Sequence, residues 1–136
     1  MGFRIDYDSS HEIVRVSVGG VFTDHILRES YCALRRFNDS YSACCGIADC
    51  TRVTDVQLSG SAVRWMAAFK PPVFPPDMLK VLISPKDVMF GMSRMFQEAG
   101  FGMRWNIRVV RTTDEAFRVI GVELSTFRPV TFSEAA

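Results

Sequence analysis

Polar and apolar residues alternate with period two along Phe3-Arg4-Ile5-Asp6-Tyr7-Asp8 and again along Ile13-Val14-Arg15-Val16-Ser17-Val18. Such alternation marks half-buried strands, and the polar Ser9-Ser10-His11-Glu12 between them predicts a hairpin at one margin of a sheet. Gly19-Gly20 is read as the end of the second strand. Thr23 then caps a helix in which Leu27, Ser30, Tyr31, Leu34 and Phe37 share one face.

The run Cys44-Cys45-Gly46-Ile47-Ala48-Asp49 is small, apolar and without alternation, as expected of a central strand covered on both faces. An irregular stretch follows, from Thr51 to Leu58. Ser59 precedes Ala62, Trp65, Met66 and Phe69 at helical spacing, until Pro71-Pro72 and Pro75-Pro76 forbid continuation. Met78 to Ser84 reads as a buried strand. Val88, Met92, Met95 and Ala99 line a helix stopped by Gly100 and Gly102, and Trp105 to Arg111 returns to strand character. Thr112 and Glu115 have capping-box spacing ahead of a last helix that buries Phe117 and Ile120.

The order is therefore β-β-α-β-α-β-α-β-α. It predicts an α/β fold with a mixed, mostly parallel sheet, helices packed on it, and the first strand as the antiparallel exception. Without a linker or repeat, residues 1–136 read as a single domain with an ordered core from about residue 3 to residue 121 and a C-terminal tail over 122–136.

Composition agrees with one buried core: 136 residues, 48% hydrophobic and 23% charged, a balance far from that of a disordered chain. A formal charge of +1 creates no field to hold a polyanion, which argues against nucleic acid as a partner. No apolar run approaches the ~20 residues of a membrane span. The first residues lack the pattern of a signal peptide, so a cytoplasmic protein with reduced cysteines is expected.

With Ile47-Ala48-Asp49 ending the middle strand and Ser59-Gly60-Ser61 opening the next helix, this order resembles the STAS-like domains, the fold of bacterial anti-sigma-factor antagonists. Phe90-Gly91-Met92-Ser93-Arg94-Met95-Phe96 and Asp114-Glu115-Ala116-Phe117 make it most similar to a branch of small stand-alone bacterial proteins. The resemblance implies a non-catalytic regulatory module with a kinase or anti-sigma-like regulator as protein partner. It also implies a phosphoacceptor serine at the start of the second helix. Ser59 is the positional match, with Asp49 and Thr51 as neighbouring contact residues.

In a parallel sheet the loops beyond the strands' carboxyl ends gather at one edge, where ligands bind in open α/β folds. Thr23, Asp24, Ser84 and Lys86 are the candidate ligand residues of that edge, and they are expected in one neighbourhood with Asp49 and Ser59. The plainer alternative is that Thr23, Ser59 and Ser84 cap helices. An enzyme is not expected, because His11 lies in a hairpin turn and His25 at a helix start, which leaves no nucleophile with an oriented base. Cys44, Cys45 and Cys50 lack metal-binding spacing, and Cys50 alone is placed at a loop edge where a thiol is accessible. No glycine-rich phosphate motif occurs, so no cofactor and no metal are expected.

The third helix is apolar on more than one side. Phe74, Met89, Phe90, Arg94 and Trp105 are candidates for a homodimer interface or for the wall of a pocket. A pocket there would take apolar or amphipathic ligands, with Arg94 or Lys86 to orient an acidic head.

Overall fold

The computed structural model describes residues 2–68, 73–99, 106–123 and 125–131. Strands β1 (Phe3–Asp8) and β2 (Ile13–Thr23) pair antiparallel from Phe3 opposite Val18 to Asp8 opposite Ile13. The turn between them is held by Asp8, whose carboxylate accepts the Ser10 N–H at 2.9 Å and lies 2.8 Å from the His11 ring. Glu12 completes it at φ 54°.

β2 does not stop at Gly19-Gly20. It continues to Thr23 because β3 (Cys45–Gln57) runs parallel beside it, from Ile13 opposite Cys45 to Thr23 opposite Gln57. The stretch from Thr51 to Gln57, irregular by its sequence, is thus strand. Register shifts between Ser17 and Gly19 and between Gly20 and Val21 place two bulges on β3, and Gly20 accommodates them at φ 72°.

The remaining strands are β4 (Leu79–Ile83), β5 (Ile107–Val110) and β6 (Arg128–Pro129). They complete a six-stranded sheet of order β5-β4-β3-β2-β1-β6, in which β2, β3, β4 and β5 are mutually parallel. β6 comes from the stretch beyond Gly121 and pairs antiparallel with β1 at the margin, where Pro129 sits at an edge position that tolerates proline.

Four helices cover the sheet: α1 (Asp24–Ser40), α2 (Gly60–Ala67), α3 (Asp87–Ala99) and α4 (Thr113–Ile120). Because strand side chains alternate in direction, Cys45 and Ile47 face α4 with Ile13, Val81, Ile83 and Ala116. Val18 and Cys50 face the other helices with Leu27, Ala62 and Met89. Phe37 of α1 is fully buried, edge-on to Tyr7 and stacked on Tyr41 at 5.0 Å.

α3 is rotated from its expected orientation. Met89, Ser93 and Phe96 are buried, whereas Val88 is 64% and Met95 36% exposed. The polar Ser93 can face inward because its hydroxyl pairs with that of the buried Ser84 at 2.7 Å. α4 is capped as expected, with Thr112 Oγ1 accepting the Glu115 N–H at 3.1 Å and Gly121 closing the helix at φ 82°.

Candidate functional site

Since β2 and β3 end side by side, the chain leaves both into neighbouring helix N-termini. Thr23 Oγ1 caps α1 by accepting the Ile26 N–H at 3.3 Å, and Ser59 Oγ caps α2 by accepting the Ala62 N–H at 3.0 Å. Asp24, the first residue of α1, joins the two. Its carboxylate accepts the Ser59 backbone N–H at 2.8 Å and the Ser59 hydroxyl at 2.9 Å.

The Ser59 hydroxyl therefore donates to one helix while it accepts from another. The two bonds from Ser59 hold the Asp24 carboxyl below its usual pKa, and Arg28 on the same helix adds to the effect. Arg64 folds back toward this point: a Cβ added at Gly60 would lie 3.1 Å from its guanidinium. The first amides of α2 lack intrahelical acceptors, so an exposed hydroxyl and helix-end donors meet at Ser59, with the Arg64 guanidinium beside the next residue, Gly60. Such a set can stabilise an added anionic group on the hydroxyl oxygen.

Thr23, Asp24 and Ser59 are thus brought together, but the other carboxyl-edge candidates are not. Asp49 lies beside Ile83 and Ser17, and its Oδ1 accepts the Thr51 N–H at 2.9 Å. Strand runs from there to Gln57, opposite Ser17 to Thr23 of β2, so at about 3.3 Å per β2 residue Asp49 lies roughly 20 Å from the end of β3 that leads to Ser59, and Thr51 somewhat less. Ser84 neither caps α3 nor reaches the edge surface, because it is fully buried against Ser93. Lys86 is engaged with β3, its Nζ donating to the Thr54 carbonyl at 3.0 Å.

The third-helix candidates are also divided. Phe74 and Met89 line an apolar cavity of about 130 Å³ between the sheet and α1, α2 and α3. Phe90 is covered by the Arg111 guanidinium, 3.9 Å above its ring, and Arg94 is exposed. Trp105 lies outside the described residues. Cys50 is buried rather than accessible, and burial pushes its thiol up to about 12.

Sequence reasoning missed two features. The Asp24–Ser59 contact spans 35 positions and depends on the parallel register of β2 with β3; the sequence placed the two residues at one sheet edge and at helix starts, but gave no signal for the bond itself. Lys80, a strand residue at the cavity, gave no signal at all. Burial lowers its ammonium to about 8, and Nζ donates to the Pro75 and Met78 carbonyls at 2.9 and 2.8 Å. Among the described residues no cluster of three metal-ligating side chains occurs, and no helix is long and apolar enough to cross a membrane.

No protein-family model matches this chain, and no curated protein matches it. Solved structures do. The anti-sigma factor antagonist SpoIIAA in its unphosphorylated form is similar with a TM-score of 0.58 at 15% identity, over 90% of this chain and 99% of that one. The phosphorylated form of the Bacillus cell fate determinant SpoIIAA gives 0.55 at 18% identity, over 87% and 98%. With the same mixed sheet, this chain has the STAS-like fold of the anti-sigma-factor antagonists.

Proposed function

We propose that the protein is a non-catalytic regulatory module that works through protein contact, with the Asp24–Ser59 junction as its contact surface and switch. The observation that carries this reading is the double use of the Ser59 hydroxyl, exposed at the head of α2 and bound to a carboxylate at the head of α1. SpoIIAA, a structural neighbour, is an anti-sigma factor antagonist with a phosphorylated and an unphosphorylated form.

A phosphate on Ser59 would remove the proton now donated to Asp24 and set two negative groups against each other. The α2 amides and Arg64 would stabilise the phosphate on its new side. The tie between α1 and α2 would open without unfolding either helix, and the surface offered to a kinase or anti-sigma-like regulator would change. Asp49, Thr51 and Lys86 would belong to a second part of that surface, along the exposed stretch of β3.

The non-catalytic reading draws support from the two histidines. His11 is engaged with Asp8 in the hairpin turn, and His25 is 80% exposed, 3.9 Å from Glu29, so neither serves Ser59 as a base. The reading extends to a cytoplasmic homodimer in which Val88 and Met95, exposed on one side of α3, meet a second copy. Phosphopeptide mapping of the protein isolated from the cells that make it tests the switch. Phosphate on Ser59 is expected, and phosphate confined to other residues would overturn the assignment.

A further inference from the structure

The central strand β3 turns Gly46, Ala48 and Cys50 toward the helices, three of the smallest side chains in succession on that face. The flanking strands carry larger residues there, Val16 on β2 and Leu82 on β4. Leu27 of α1, Val63 of α2 and Met92 of α3 close over the strand but do not reach into the space above it, which leaves the cavity of about 130 Å³.

This space offers a ligand no charge and few polar groups. Gly46 and Ala48 pair with β2 on one side and β4 on the other, so their backbone groups belong to the sheet. Ser30 donates to the Leu27 carbonyl at 2.8 Å, and Ser93 pairs with Ser84. Among the described residues Lys80 is the one charged side chain in the wall, and its ammonium is already held elsewhere. Its Nζ donates to the Pro75 and Met78 carbonyls, with Asp77 as a charge partner, so the cavity meets the methylene stem. Neither Lys86 nor Arg94 lines the space, and an acidic head would find no cation to orient it.

Apolar cavities of ~150 Å³ stay dry and take up molecules such as benzene, because a water inside them lacks hydrogen-bonding partners. An ion of the same shape would lose its hydration there without a counter-charge in return. We propose that the cavity is a binding site for one small uncharged hydrocarbon molecule, about the size of a six-carbon ring, lying over Gly46, Ala48 and Cys50. This site is separate from the Ser59 junction and stands or falls without it.

Isothermal titration calorimetry of the full chain at neutral pH with benzene and with benzoate tests the proposal. Saturable one-to-one binding of benzene is expected, and benzoate, the same ring with a carboxylate, is expected to bind at least about tenfold more weakly. Ala48→Leu places added carbons inside the cavity and is expected to weaken benzene by about tenfold or more while circular dichroism shows the protein folded. Gly46→Ala is a milder filling variant that keeps the test open should Ala48→Leu fail to fold, since its Cβ would meet Met78 Cε at 3.5 Å and Val14 Cγ1 at 3.8 Å without a clash. No saturable binding of benzene, benzoate binding as tightly as benzene, or undiminished benzene binding by the folded filling variants would each overturn the proposal.

Discussion

Ser59 caps the start of α2 and is tied to α1 through the same hydroxyl oxygen, so substitutions there separate two roles. Ser59→Ala removes the cap and is expected to lower stability by about 1 kcal/mol, measured by urea unfolding. Ser59→Asp keeps an acceptor for the Ala62 N–H but sets a second carboxylate against Asp24. The Asp24 contact has its own pH signature. Its carboxyl lies below the ordinary 3.8 in the folded protein, so its contribution is present above that value and is lost as pH falls further. In acid, the unfolding midpoint of Asp24→Asn is therefore expected to fall less steeply with pH than that of the wild type, and parallel curves would contradict the contact. The buried Asp8 is also held low: burial alone would raise it, but hydrogen bonds from His11 and Ser10 outweigh that. Asp8 is present in both proteins, so the comparison isolates Asp24. The four thiols give a third residue-scale outcome. Cys32 and Cys44 are exposed while Cys45 and Cys50 are buried, with thiols pushed up to about 11 and about 12. Iodoacetamide at neutral pH is expected to label the first two in the native state and all four after unfolding.

At the level of elements, α1 was legible because its buried residues keep the helical period, and α4 because its capping residues stand in place and Phe117 and Ile120 pack, half-buried, against the core. α3 was read one residue out, since Ser93 carries no apolar signal and its buried partner Ser84 belongs to a different element. The second half of β3 escaped for another reason. Val53 is buried and Val56 half-buried three positions later, because the bulge between them breaks the period of two. β6 has two residues, one of them a proline, too little pattern to read as strand. Phe37 anchors α1 to the sheet with no exposed surface, and Phe37→Ala is expected to cost about 4 kcal/mol in chemical denaturation. The cavity beneath α1, α2 and α3 arises from the small residues of β3. These residues were read in the sequence as the mark of a covered strand, not as a source of unfilled volume.

At the scale of the molecule, the element order alone sufficed for the mixed α/β sheet, and the similarity to SpoIIAA over nearly the full chain agrees with it. The candidate site was legible only in part. Ser59, Thr23 and Asp24 were expected in one neighbourhood from the parallel order, but the bond between Asp24 and Ser59 depends on where two parallel strands stop, which no local pattern encodes. The same strand extension separates Asp49 and Thr51 from them. The central claim is that the heads of α1 and α2 form a partner surface controlled by charge on Ser59. Affinity capture of the tagged wild type, Ser59→Ala and Ser59→Asp from the cells that make the protein, with bound proteins quantified by mass spectrometry, tests it most directly. A protein retained by the wild type and by Ser59→Ala and lost from Ser59→Asp is the expected result. The same bound proteins in the same amounts for all three would contradict it.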